Sequence, residues 1–70
     1  MPRQLVIFAN GRSFQIQEQT SISAFLKDRS VNHASVLVEL NGHALLKSEY
    51  DTTLIAHGDR LEVVKVVAGG

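Results

Sequence analysis

Only one stretch of this 70-residue chain, TSISAFLKDR at residues 20–29, carries a helical period. Ile22, Phe25 and Leu26 fall at i, i+3 and i+4 and form one apolar stripe, with Arg29 at i+7. Thr20 or Ser21 can accept the orphan N–H groups of the first turn. Glu18 lies just ahead, and Lys27 and Arg29 sit near the far end, so the charges suit the helix dipole. The other apolar stretches read as strands. A sheet has two faces, and a single short helix covers one of them.

The strands are signalled by alternation and by turn residues. QLVIFA (4–9) and RSFQIQ (12–17) flank Asn10-Gly11, and Phe14 and Ile16 alternate with Ser13, Gln15 and Gln17. Two strand runs around Asn-Gly predict a hairpin, because a tight turn of this type needs positive φ at both central residues. After a loop at SVNHA (30–34), SVLVEL (35–40) puts Val36, Val38 and Leu40 on one face and Leu37 and Glu39 on the other. Asn41-Gly42 is a second turn, HALLK (43–47) a short returning strand, and SEYDTT (48–53) turn-like. Leu54 reads as a core plug, HGDR (57–60) as a turn and RLEVVKVV (60–67) as the last strand. This order predicts an α+β fold, a mixed β-sheet with one crossing helix, as a single domain over residues 1–70 with a flexible C-terminal tail at 68–70. The expected core is Leu5, Ile7, Phe14, Ile16, Ile22, Phe25, Leu26, Val36, Val38, Leu40, Leu54, Leu61 and Val63.

The last strand raises a question about the uncovered face. Leu61 and Val63 share the core face, whereas Val64 and Val66 point the opposite way, with Val6 and Phe8 of the first strand. Such a strand is either buried on both sides or exposes an apolar patch. We read it as a patch that binds a partner, because the fold offers one helix as cover.

Composition excludes several classes of function. Seven Lys and Arg balance seven Asp and Glu, so there is no basic excess to hold nucleic acid and no cationic run to hold a membrane surface. The absence of cysteine removes disulfides, a thiol nucleophile and a thiolate metal site. No apolar run approaches the roughly 20 residues of a membrane span, and the N-terminal residues lack a signal-peptide pattern, so a cytoplasmic location is the default expectation. His33, His43 and His57 fall in or beside loops, with no ligand spacing, and no metal site is expected. Asp28, Glu49, Asp51 and Asp59 fall on a helix end and on turns, where carboxylates serve as caps. No nucleophile–base arrangement and no phosphate loop is evident.

The chain ends in VVKVVAGG, a strand followed directly by small residues. With the hairpin–helix–strand order, NGHALLK in mid-chain and GDRLEVV entering the last strand, this ending resembles the ThiS/MoaD superfamily of ubiquitin-like β-grasp sulfur carriers. Within it the chain is most similar to the ThiS family of thiamine biosynthesis, over nearly its whole length. Its short length and the Val-Val before the tail favour ThiS over MoaD-like chains, which are longer and often carry proline there. Lys47 departs from the arginine after a proline that ThiS-like chains often have near this point.

The resemblance implies a carrier with no catalytic residues and no bound cofactor, acting as co-substrate of partner enzymes and monomeric alone. Its ATP-using, ThiF-like partner adenylates the carboxylate of Gly70. The resulting mixed anhydride is open to attack by sulfur, which yields a thiocarboxylate, and a ThiG-like thiazole synthase takes that sulfur into the thiazole ring. Without cysteine, the chain cannot hold sulfur as a persulfide. Gly69 and Ala68 thread the partner's active site, a passage that glycine eases because it has no Cβ. A MoaD-like subunit of molybdopterin synthase, or a β-grasp interaction module without tail chemistry, are the alternatives.

Overall fold

The computed structural model describes residues 3–66. Five strands, β1 (Gln4–Ala9), β2 (Arg12–Gln17), β3 (Val36–Leu40), β4 (His43–Ala44) and β5 (Arg60–Lys65), form one mixed sheet in the order β2-β1-β5-β3-β4. β1 and β2 pair antiparallel from Gln4↔Gln17 to Ala9↔Arg12. The turn between them holds Asn10 and Gly11 at φ 51° and 79°, the left-handed pair that the Asn-Gly sequence predicts. β5 inserts at the centre, parallel to β1 and antiparallel to β3.

Both Asn-Gly turns also clasp this central strand. The Asn10 side chain accepts from the Val63 N–H at 2.7 Å and donates to the Val63 carbonyl at 3.1 Å, so one amide continues the ladder past the end of β1. Asn41 acts from the other side: its Oδ1 accepts from the Arg60 N–H at 2.9 Å, and its Nδ2 donates to Asp59 at 3.0 Å. Residues chosen for their turn geometry thereby also fix the register of β5.

The one α-helix among the described residues, α1 (Ile22–Asp28), starts at Ser21, whose hydroxyl accepts from the Ala24 N–H at 3.0 Å. It ends with Ser30 at φ 59°, the Val31 N–H returning to the Leu26 carbonyl and the Ser30 N–H to the Lys27 carbonyl. That is a Schellman closure with serine in the position glycine usually takes. Its stripe, Ile22, Phe25 and Leu26, is buried against Ile7, Ile16, Val36, Val38 and Leu61. Phe14 meets Phe25 edge to face at 5.6 Å, and the Arg29 guanidinium lies over the Phe14 ring at 4.6 Å. Leu5, Phe14, Leu40 and Val63 are partly buried around this centre.

Several sequence expectations are corrected. Leu54 is not a core plug: it is 49% exposed, and Ile55 is buried in its place. The segment is extended there, bridged Ser21↔Leu54 with the Ile55 N–H bonded to the Thr20 carbonyl, so neighbouring side chains point to opposite sides. The returning strand expected over 43–47 is only His43–Ala44, because the chain turns into a 3-10 turn at Lys47–Glu49. A second 3-10 turn, His33–Ser35, lies at the end of the expected loop and is capped by Asn32. β5 ends at Lys65 rather than at 67, and Val67 lies outside the described residues.

The short β4 leaves part of the β3 edge without a strand partner. Tyr50 fills the gap. It is fully buried, and its hydroxyl accepts from the Val38 N–H at 3.1 Å and donates to the Val36 carbonyl at 3.2 Å. One phenol thus does what two backbone groups of a longer strand would have done.

Candidate functional site: the uncovered face of the sheet

Alternation assigns each strand residue to a face, and the register aligns the rows. Leu61 and Val63 face the helix beside Leu40 and Val38. On the other face, Val64 stands directly opposite Leu37, and Glu62 directly opposite Glu39. Arg60 aligns with Phe8 of β1, and its guanidinium lies 5.5 Å from the Phe8 ring centre.

The face therefore has a gradient along β5. One end is aromatic and cationic, the middle is acidic and the far end is apolar. Leu37 and Val64 are each 54% exposed, and Val66, one residue past β5, is 46% exposed. The predicted patch is accordingly divided. Val64 and Val66 are exposed where expected, but Val6 and Phe8 are half-buried at the other end. Val64 lies four steps along the strand, about 13 Å, from the Arg60–Phe8 row. The Val6 N–H donates to His57 Nδ1 at 3.0 Å, and the Gly58 N–H donates to the Val6 carbonyl, so the loop before β5 flanks this part of β1. Leu37 also belongs to the apolar end, a residue that alternation puts on this face but that the expected patch does not include. The signal was the alternation in VLVEL.

Val66 is the last described residue. Its N–H donates to the Ser35 carbonyl at 2.8 Å, which anchors the chain at the apolar end of the face. The predicted carrier residue Gly70 and the threading residues Gly69 and Ala68 lie outside the described residues. Of the carboxylates singled out in turns, Asp59 and Glu49 cap backbone N–H groups, and Asp51 bonds a side chain. Asp59 accepts from the Ala56 N–H at 2.7 Å, Glu49 accepts from the Leu46 N–H at 2.8 Å, and Asp51 accepts from the Ser23 hydroxyl. Among the described residues, no three His, Asp or Glu side chains converge as a metal site, and no helix is long and apolar enough to cross a membrane.

A ubiquitin-like β-grasp is this arrangement of hairpin, crossing helix and central last strand. The model of the ThiS family matches residues 2–70. The chain belongs to the ThiS family. Among solved structures it is similar to the thiamine biosynthesis protein ThiS from Geobacter metallireducens, with a TM-score of 0.77 and 28% identity over 94% of this chain and 100% of that one. No curated protein matches significantly. Family membership supports a sulfur-carrier role in thiamine biosynthesis over the MoaD-like alternative.

Proposed function

We propose that this protein carries sulfur on its C-terminal residue, Gly70, for thiazole formation. A ThiF-like enzyme joins the Gly70 carboxylate to AMP, releasing pyrophosphate from ATP. Hydrosulfide-level sulfur then attacks the acyl carbon, a C–S bond forms, the bond to the AMP oxygen breaks, and a thiocarboxylate remains. A ThiG-like thiazole synthase accepts the sulfur. The carrier holds no cofactor, since ATP is consumed at the partner's site. The observation that carries this reading is the family match running through residue 70.

The geometry of the described residues supports it. Val66 is fixed by its bond to Ser35, and Gly70 is the fourth residue beyond it. Fully extended, those residues reach at most about 14 Å from the sheet. A partner that receives Gly70 must therefore dock on the body close to Val66, where Leu37, Val64 and Val66 are exposed. Ala68 and Gly69 present little side chain to a narrow channel.

The test is a loading assay with ATP, a ThiF-type enzyme and sulfide, read by intact mass for replacement of one oxygen by sulfur. A chain with one residue added after Gly70 should not load, because its carboxylate lies about 3.5 Å beyond the reacting position and misplacement by even about 1 Å can cost on the order of 100-fold. Its thermal midpoint should equal that of the native chain. Equal loading rates for the two chains would refute the proposal.

A further inference from the structure

The register of β3 and β5 sets two carboxylates against each other on the uncovered face. Glu39 and Glu62 are direct cross-strand partners and both are exposed. Side chains so placed leave the backbone about 4.5–5.5 Å apart, and like charges in this relation destabilise a sheet. Their other neighbours on the face are Ala44 across from Glu39, Leu37 and Val64 on the apolar side, and Arg60 one step along from Glu62. The Arg60 guanidinium is engaged over the Phe8 ring on the β1 side. The pair thus borders the apolar end directly, within about 7 Å along the strand.

We propose that this face docks a protein surface on which an arginine sits beside an apolar patch, the arginine bridging Glu39 and Glu62 while the patch covers Leu37, Val64 and Val66. Charge complementarity selects this occupant. A purely apolar partner would desolvate two carboxylates without compensation. A guanidinium offers five donors in a planar fork and can serve two carboxylates at once. The inference rests on the carrier reading for its choice of partner, the ThiF-type adenylating enzyme. It adds what that enzyme must present, and it implies that the repulsion in the free protein is relieved on docking.

The experiment titrates the full-length protein into a ThiF-type enzyme at about 20 and 300 mM salt and measures adenylation in parallel. The chains are the native protein and Glu39→Gln/Glu62→Gln. The native protein should bind more weakly at high salt. The double variant should bind about 3- to 10-fold more weakly than native at low salt, and with little salt dependence. The same variant should melt about 2–4 °C higher, because it has lost the repulsion. Weaker binding by a more stable protein excludes unfolding as the cause. Equal affinity and equal salt response in both chains would overturn the proposal, as would an absence of binding or self-association through this face in sedimentation. Normal binding without adenylation would leave the docking proposal standing and refute the carrier reading instead.

Discussion

Tyr50→Phe removes one oxygen atom and leaves the aromatic ring to fill the same space. The hydroxyl is fully buried and joins the Val38 N–H at 3.1 Å to the Val36 carbonyl at 3.2 Å. β4 pairs with β3 at Glu39 and Leu40, the Leu45 N–H bonds the Val38 carbonyl, and the chain then turns away at Lys47–Glu49, so among the described residues no strand stands by to take these two groups. A buried donor or acceptor left without a partner costs about 1–3 kcal/mol. The carbonyl, with two lone pairs, tolerates the loss better than the N–H, and we expect about 2–3 kcal/mol in total. A domain of this size has roughly 3–10 kcal/mol of stability, so the loss is a large share of it. At about 4–8 °C per kcal/mol, the thermal midpoint should fall by about 8–24 °C. Urea unfolding should show a lower midpoint with an unchanged slope, and the Val38 amide should exchange faster in the native state. A loss below about 0.5 kcal/mol would refute the argument, since it would mean that the β3 edge is satisfied without the phenol.

Phe25→Ala should cost about 3–5 kcal/mol, because the ring is buried in the helix stripe and meets Phe14 edge to face. A loss under about 1 kcal/mol in denaturant unfolding would contradict that packing. Asn10→Ala should cost about 2 kcal/mol, since it removes both bonds to Val63 and puts alanine at φ 51°. Asn10→Gly should recover the conformational part only, and equal stability of the two variants would argue against it. Val64→Ser, at a half-exposed position, should change stability by less than about 1 kcal/mol while weakening binding to the adenylating enzyme in a titration. Loss of folding in that variant would show that Val64 is a core residue.

The elements whose cause is local were legible in the sequence. Asn10-Gly11 specified its hairpin because few residues other than Asn and Gly accept two successive positive φ values. The spacing of Ile22, Phe25 and Leu26 specified the helix and its buried stripe, and the alternation in RLEVV specified which side of β5 faces the core. The ending in Gly-Gly resembles that of the carrier family, although residues 67–70 lie outside the described structure.

What the sequence could not decide depends on pairings between distant segments. Leu54 and Ile55 are adjacent apolar residues, and only the bridge to Ser21 determines which of them turns inward. Tyr50 lies in a polar stretch, and its burial follows from the unpaired edge that a two-residue β4 leaves on β3. Val6, Phe8, Val64 and Val66 share a face by alternation alone, yet the parallel register of β1 and β5 places Arg60 against Phe8 and separates the two pairs. The opposition of Glu39 and Glu62 has the same origin: residues 23 positions apart become neighbours only through the β3–β5 register. Periodicity fixes the direction of a side chain, but register fixes what it meets, and register belongs to the assembled sheet.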